Sequence, residues 1–267
     1  MPELPEVETI KLQLKRKILN KKIKEVIVED KRLIKGIPAQ KFKSQLQGKA
    51  IKDIFRRGKV LIIKLEESLF LIIHLRISGW LTLSQTREKF SRLLLKFADN
   101  QVLNFCDQRV LGEARIVRDW RSLPIIKNMG PEPLELKKDE FVKLFDGKRT
   151  KVKPLLMDQN FLAGVGNIYA QEILFCAGIH PQRSAEKTKK EELEKIYSCL
   201  ISILKDAIAK KGSSVDTYRQ IDGSQGNYIP FLKVYQREDE LCFKCRRPIK
   251  RKAIGGRGTY FCSHCQK

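Results

Sequence analysis

Two stretches of this 267-residue chain place reactive residue types at a spacing that implies chemistry. Near the carboxyl end, Cys242 and Cys245 form one Cys-x2-Cys pair and Cys262 and Cys265 a second, with sixteen residues between them. Two such pairs at this separation predict a zinc ribbon. Each pair sits on a tight knuckle, a hairpin carrying Gly255, Gly256 and Gly258 brings the knuckles together, and four thiolates complete a tetrahedral shell. Four sulfur ligands leave no open position for water, so the single Zn2+ predicted here is structural and not catalytic. A redox Cys-x2-Cys would sit against a thioredoxin-like βαβ pattern, which the surrounding sequence does not resemble. His264, inside the second knuckle, is read as a spare. From residue 233 to 267 ten Lys or Arg stand against three Asp or Glu, so the module is a cation suited to phosphate.

The amino terminus, MPELPEVETI, is the other stretch. Proline in a first helical turn sacrifices no hydrogen bond, and carboxylates there complement the helix dipole. Pro5, Glu6 and Glu8 therefore start a helix whose apolar stripe is Val7, Ile10, Leu14 and Ile18. That account gives no reason for Pro2 directly after the initiator methionine.

The elements that must position these groups follow from composition and pattern. Lys and Arg number 54 against 31 Asp and Glu, a net charge of +23. Self-repulsion of that size points to a polyanionic partner, nucleic acid first and an anionic membrane surface second. Against the membrane, the longest apolar run, residues 69–73, is too short to span a bilayer, and no signal-peptide layout opens the chain. A soluble cytoplasmic protein is expected. Of seven cysteines, Cys106, Cys176 and Cys199 lie alone in apolar surroundings and are predicted to be buried core thiols. Between about residues 20 and 120, short β-rich runs (KIKEVIVED, KVLIIKLEE, LFLIIHLRIS, RLLLKFAD, QVLNFCD, EARIVRD) predict an antiparallel sandwich or barrel. NMGPEPLEL breaks that pattern and sets a domain boundary near residue 131. Helical periods follow in DEFVKLFDG, KPLLMDQNFLAGVG, NIYAQEILFCAG and KKEELEKIYSCLISILKDAIAKKG, with an irregular stretch after Gly212. In DQNFLAGVGNIYA, Gly164 and Gly166 allow two tight turns, and Asn167 stands where an N-cap residue would begin a helix. Such an arrangement aims backbone N–H groups at a phosphate, although a purely structural helix-turn-helix explains the glycines equally well.

Taken in order, PELPEVET, FRRGKVLIIKL, HLRISG, DQRVLGEAR, MGPEPL, LLMDQNFLAGVGNIYAQEILFCAGIHP and GRGTYFCSHCQK resemble the bacterial formamidopyrimidine-DNA glycosylase family from the first residue to the last. The resemblance implies an α+β multi-domain fold. An N-terminal antiparallel β-sandwich with an N-terminal helix would occupy residues 1–130. A helix-two-turn-helix domain with a lesion-covering loop would occupy 131–232, and a four-cysteine zinc-ribbon finger 233–267, with DNA across the cleft between the domains. It further implies a bifunctional glycosylase and AP lyase of base excision repair that removes oxidised purines. One structural Zn2+ per chain, damaged double-stranded DNA as partner, no membrane, a monomer, and a place in the cytoplasm at the bacterial nucleoid complete the expectation.

The same resemblance assigns residues. Removal of Met1 would expose Pro2 as a secondary amine, and an α-amino group has a pKa of about 7.7–8.0, low enough for a nucleophilic fraction near neutrality. Attack on C1′ of a damaged nucleoside gives an iminium, an electron sink for strand-breaking eliminations. Glu3 resembles the general acid, with Glu6 either supporting it or only capping the helix. Lys59 matches a lysine that assists β-elimination, and Arg257 one that grips the lesion phosphate and assists δ-elimination. His74, Lys148 and Asn167 match phosphate contacts, and residues 222–232 the flap over the extruded base. Where the family inserts Met, Arg and Phe into the gap left by that base, this chain has Ile77, Arg109 and Leu111. Val110 replaces a usual arginine and Phe90 a common histidine. The alternatives are an endonuclease VIII-like glycosylase for oxidised pyrimidines, whose aliphatic wedge resembles Leu111, and a zinc-ribbon DNA-binding protein without catalysis.

Overall fold

A computed structural model describes the whole chain, Met1–Lys267, as two compact units, Met1–Lys127 with Lys210–Ile229 and Asn128–Ala209 with Pro230–Lys267. The first opens with α1 (Leu4–Ile18), whose predicted stripe is realised: Val7, Ile10, Leu14 and Ile18 are at most 1 % exposed. Burying side chains of this kind stabilises by about 1.5–3 kcal/mol each. They face a core shared by two antiparallel sheets. One has strand order β1 (Ile23–Val28), β6 (Ser91–Phe97), β7 (Val102–Asp107), β5 (Gly79–Ser84); the other has β2 (Ile51–Arg57), β3 (Val60–Leu65), β4 (Phe70–His74), β8 (Glu113–Val117). Alternate residues such as Leu61, Ile63 and Leu65 on β3 and Leu93, Leu95 and Phe97 on β6 point into that core, which makes the pair a sandwich rather than a barrel.

Sequence pattern alone misses β2 and β5. In β2 only Ile51 and Ile54 are buried, among lysine, aspartate and arginine, and β5 opens on a glycine. The short helix α2 (Ala39–Leu46), anchored by Phe42 and Leu46, is also absent from the expectation. The sequence grouped 210–229 with the helical domain, whereas its contacts group it with the sandwich. Tyr218 and Ile221 bury in the sandwich core, and Leu83 N–H donates to Ile221 O at 2.6 Å.

In the second unit the helices are α4 (Lys138–Lys143), α5 (Val152–Met157), α6 (Asn167–Ala177) and α7 (Lys190–Ala209); α3 (Pro124–Lys127) precedes it. The long α7 buries Leu193, Ile196, Leu200, Leu204 and Ala207, one helical face, against α6. Gly178, at φ 74°, takes the left-handed conformation that ends α6. The ribbon hairpin is β9 (Lys250–Ile254) and β10 (Arg257–Phe261), and Gly255 and Gly256 at φ 59° and 70° supply the two-residue turn.

Only Cys106 is the buried core thiol the sequence predicted. Cys176 and Cys199 are instead joined as a disulfide with Cα atoms 5.9 Å apart. Cys176 lies exposed in the last turn of α6, and Cys199 sits half-buried beside the apolar stripe of α7. Packing of the two helices brings them together, a proximity no local spacing encodes. No helix is long and apolar enough to cross a membrane.

Candidate active site and zinc centre

The first turn of α1 holds Pro2, Glu3 and Glu6 out of solvent; Glu3 is 2 % and Glu6 1 % exposed. Glu3 is the N-cap, and Glu6 Oε2 accepts its backbone N–H at 2.8 Å, the return leg of a capping box. The other Glu6 oxygen accepts from Ser213 N–H at 2.8 Å and Ser213 Oγ at 3.2 Å. A Cβ on Gly212, which sits at φ +79°, would stand 2.8 Å from that oxygen, so only glycine allows the approach. Of the two roles the sequence allowed for Glu6, the geometry supplies capping, plus a tether to 210–229 that sequence reasoning missed. The Met1 ammonium meets Asp216 Oδ2 at 3.1 Å.

Lys59, 6 % exposed, lies in the turn between β2 and β3 beside Gly58 at φ 54°. Arg56 fixes that turn to α1: its Nε donates to Glu8 Oε2 at 2.8 Å and its Nη1 to Gly58 O at 3.0 Å. Burial works to raise the Glu8 pKa, but the charges and hydrogen bonds of Lys11 and Arg56 prevail and hold it low. Glu8 is thus more than the dipole complement that sequence suggested. Val60, next to Lys59, pairs with His74 at the end of β4. Burial first, then the charges of Arg76 and Lys59, push the His74 pKa down to about 4, against an opposing pull from Glu113. The ring is neutral at neutral pH. Its Nδ1 accepts Arg76 N–H at 3.0 Å, which leaves the proton on Nε2 as a donor.

Ile77 and Leu111 are 40 % and 44 % exposed in the loops after β4 and β7, and Arg109 is exposed beside Val110, which adopts φ 54°. Phe90, also left-handed at φ 68°, packs edge-on to Trp80 with centroids 6.3 Å apart. Its departure from the family pattern thus has a packing role.

In the second unit, Gly164 turns the chain at φ 85° while Gly166 is extended and is itself the N-cap, so Asn167 is the first residue of α6 and not its cap. The Asn167 amide is engaged elsewhere. Its Oδ1 accepts from the fully buried Lys153 Nζ at 2.7 Å, and its Nδ2 donates to Gly258 O at 3.3 Å. Lys153 also donates to Thr259 Oγ1 at 2.8 Å, and buried Gln171 accepts Tyr260 N–H at 2.6 Å. Asn167 and the strand bearing exposed Arg257 are therefore registered by Lys153 and Gln171, neither of which carried a sequence signal stronger than that of any lysine or glutamine. Gln159 shapes the turn by accepting Gly164 N–H at 2.9 Å and donating to Val165 O at 2.8 Å. Lys148 stands exposed after Gly147.

Buried Glu172 receives three backbone N–H groups, from Lys233, Val234 and Tyr235 at 2.8, 3.0 and 2.9 Å, pinning the start of the ribbon to α6. Within the ribbon the Sγ atoms of Cys242, Cys245, Cys262 and Cys265 all lie within 4.8 Å of one another. Cys242 and Cys265 are 3.9 Å apart, and Cys245 and Cys262 3.4 Å. A tetrahedral zinc with Zn–S bonds of about 2.3 Å needs sulfurs about 3.8 Å apart, so the group fits the ion. Partial burial and the three neighbouring thiols push Cys265 up to about 12. Sulfurs this crowded ionise together only around a cation. His264 is exposed and outside the group.

Family models match this chain in three consecutive blocks. The formamidopyrimidine-DNA glycosylase N-terminal domain matches residues 1–114, the H2TH domain of the same enzyme 129–219, and a zinc finger found in FPG and IleRS 239–267. The formamidopyrimidine-DNA glycosylases of Desulfitobacterium hafniense and Lactococcus lactis are 37 % and 38 % identical to it, with all of each chain covered. A Lactococcus lactis FPG variant in complex with Fapy-dG-containing DNA superposes with a TM-score of 0.92 at 35 % identity over all of both chains. MutM (FPG) from Thermus thermophilus gives 0.90 at 35 %, covering 99 % of this chain and 98 % of its own. Three blocks in one order and identity along the full length place this chain in the formamidopyrimidine-DNA glycosylase family.

Proposed function

We propose that this protein is a base-excision-repair enzyme that cuts the glycosidic bond of oxidised purines, 8-oxoguanine and formamidopyrimidines, in duplex DNA and then cleaves the strand. The observation that carries the reading is the start of α1. Pro2 and Glu3 stand out of solvent at the N-cap, and Glu8 and Arg56 tie the same helix to the turn bearing Lys59. The names of the relatives, and the Fapy-dG DNA held by a structural neighbour, support it.

With Met1 removed, the Pro2 nitrogen bonds to C1′ as the bond from C1′ to the base breaks, and it gives up its proton. The C1′–O4′ bond then opens, O4′ takes a proton, and the nitrogen lone pair closes the C1′=N⁺ iminium. Glu3 supplies the proton the sugar ring or leaving base needs. Lys59 assists removal of the proton that drives β-elimination, and Arg257 holds the phosphate lost in δ-elimination. His74, neutral with Nε2–H as a donor, Lys148, and Asn167 through the amide N–H that Gly258 does not take, bind backbone phosphates. Ile77, Arg109 and Leu111 fill the gap left by the extruded base. Zn2+ held by the four cysteines is structural; it keeps the ribbon hairpin, and with it Arg257, in place. Residues 1–130, 131–232 and 233–267 act as catalytic, DNA-binding and ribbon domains of a monomer working on damaged double-stranded DNA in the cytoplasm, at the nucleoid.

Arg109 can direct donors at the acceptor edge of an orphaned cytosine, whereas adenine presents an amino group there. Mispaired donors cost about 1–3 kcal/mol each, so excision opposite cytosine is favoured by roughly ten- to a hundredfold. Single-turnover excision of 8-oxoguanine opposite cytosine and opposite adenine tests the reading. The aliphatic Leu111 favours one rival, an endonuclease VIII-like preference. Faster excision of oxidised pyrimidines than of 8-oxoguanine would establish that rival.

A further inference from the structure

The loops that carry Ile77, Arg109 and Leu111 converge on one strand. β7 ends at Asp107, whose carboxylate is fully buried. One oxygen, Oδ1, accepts from Ser78 Oγ at 2.6 Å and from Arg109 N–H at 3.1 Å; the other, Oδ2, accepts from Gly112 N–H at 2.6 Å. A single side chain thus bonds the residue after Ile77, the backbone of Arg109 and the residue after Leu111.

Phe105, two residues earlier and 1 % exposed, lies on the same face of the strand. A Cβ on Gly79 would stand 2.9 Å from its ring, and one on Gly112 2.6 Å. Both loops are pressed against that ring where they rejoin the sheets, and only glycine permits it. Both also contain a residue in the left-handed region, Arg76 at φ 53° and Val110 at φ 54°. For a β-branched valine that conformation is a genuine outlier, held only where its surroundings over-determine it. The three Asp107 bonds and the Phe105 contacts are such surroundings.

We propose that Asp107 is a positioning residue that sets the register of Ile77 against Arg109 and Leu111, so that lesion extrusion and opposite-base choice depend on it. This rests on the proposed function, in which those three side chains enter the duplex. Asn in place of Asp107 keeps the shape and one acceptor but turns an amide donor toward either Gly112 N–H or the Ser78–Arg109 pair. Because Ser78 Oγ can accept from the amide, the bond lost in either orientation is that of a backbone N–H, Arg109's or Gly112's, and the loop carrying Arg109 and Leu111 loses a tether.

The test uses the full-length, zinc-loaded protein as wild type, Asp107→Asn and Ser78→Ala. It measures single-turnover excision of 8-oxoguanine opposite cytosine and adenine, and the fluorescence of a 2-aminopurine placed next to the lesion. The expected result is a cytosine-to-adenine ratio lowered about tenfold in Asp107→Asn, with a weakened fluorescence rise, and smaller changes of the same sign in Ser78→Ala. An unchanged ratio in Asp107→Asn, or equal losses opposite both bases with an unchanged fluorescence change, would overturn the proposal. If Asp107→Asn does not fold, Ser78→Ala decides: a reduced fluorescence rise supports the register role and an unaltered one refutes it. A wild-type protein that does not excise 8-oxoguanine would count against the proposed function, a different outcome from a wild type that discriminates and an Asp107→Asn that discriminates as well.

Discussion

The two compact units hold their candidate residues by different chemistry. In the first, buried or half-buried carboxylates collect donors: Glu6 from Glu3 and Ser213, Glu8 from Lys11 and Arg56, Asp107 from Ser78, Arg109 and Gly112. In the second, one carboxylate, Glu172, does the same for the start of the ribbon, but the candidate residues are held by sulfur, amides and one buried lysine: four cysteines in the ribbon, a disulfide between α6 and α7, and the Lys153–Asn167–Thr259 chain. Two of the first unit's carboxylates, Glu6 and Glu8, lie near the start of α1, an acidic cluster in a protein that is otherwise strongly cationic. A metal-closed ribbon leaves its basic side chains pointing outward, as phosphate binding requires.

The largest effect expected is on the sulfur side. Cys245→Ser, or removal of zinc by a chelator, unfolds the ribbon, because structural zinc binding contributes about 10–16 kcal/mol in isolated fingers. Metal analysis is expected to give one zinc per active chain, and DNA binding to vanish with it. Active protein without zinc would break the comparison at its clearest point.

On the carboxylate side, Glu3→Gln is expected to lower base excision by roughly 10²–10⁴-fold while strand cleavage at a pre-formed abasic site survives better. Parallel rate measurements on an 8-oxoguanine duplex and an abasic duplex check this. Equal losses would reduce Glu3 to a helix cap.

Reduction of the Cys176–Cys199 disulfide is expected to be milder. Closing a loop of sequence separation 23 stabilises by about 3 kcal/mol on the chain-entropy account. Thermal unfolding with and without a phosphine reductant, compared with Cys199→Ser, should show a lowered Tm for the wild type and no response in the variant. In a reducing compartment the bridge would be open.

The smallest effect concerns His74. Its depressed pKa means the unfolded chain binds a proton the folded chain refuses between pH 6.5 and about 4. Stability from this group is therefore intact above that window and is lost as pH falls through it. NMR titration should find the His74 ring unprotonated at pH 6 and titrating near 4, and an ordinary midpoint would contradict the burial that lowers it.

What was legible in the sequence was local. The stripe of α1, the buried face of α7 and the cysteine quartet are each fixed by spacings of a few residues, and the order of the motifs carried the family. What was not legible depends on distant partners. Glu6 meets Ser213 across 207 positions, and Lys153 meets Thr259 across 106. Cys176 and Cys199 read as isolated apolar-context thiols because their pairing arises from two helices packing together. Asn167 read as a cap because the glycine before it was assigned to a turn. Asp107 passed as one aspartate in DQRVLGEAR, since its significance lies in the two loops that fold back onto it.

The central claim is that the chemistry begins at the amino terminus. Borohydride reduction of the protein on a duplex containing 8-oxoguanine opposite cytosine, followed by intact-mass measurement and peptide mapping, tests it directly. The account predicts a chain that starts at Pro2 and carries the sugar remnant on its first peptide. An active enzyme that retains Met1, or a remnant mapped to Lys59 or another lysine, would contradict it.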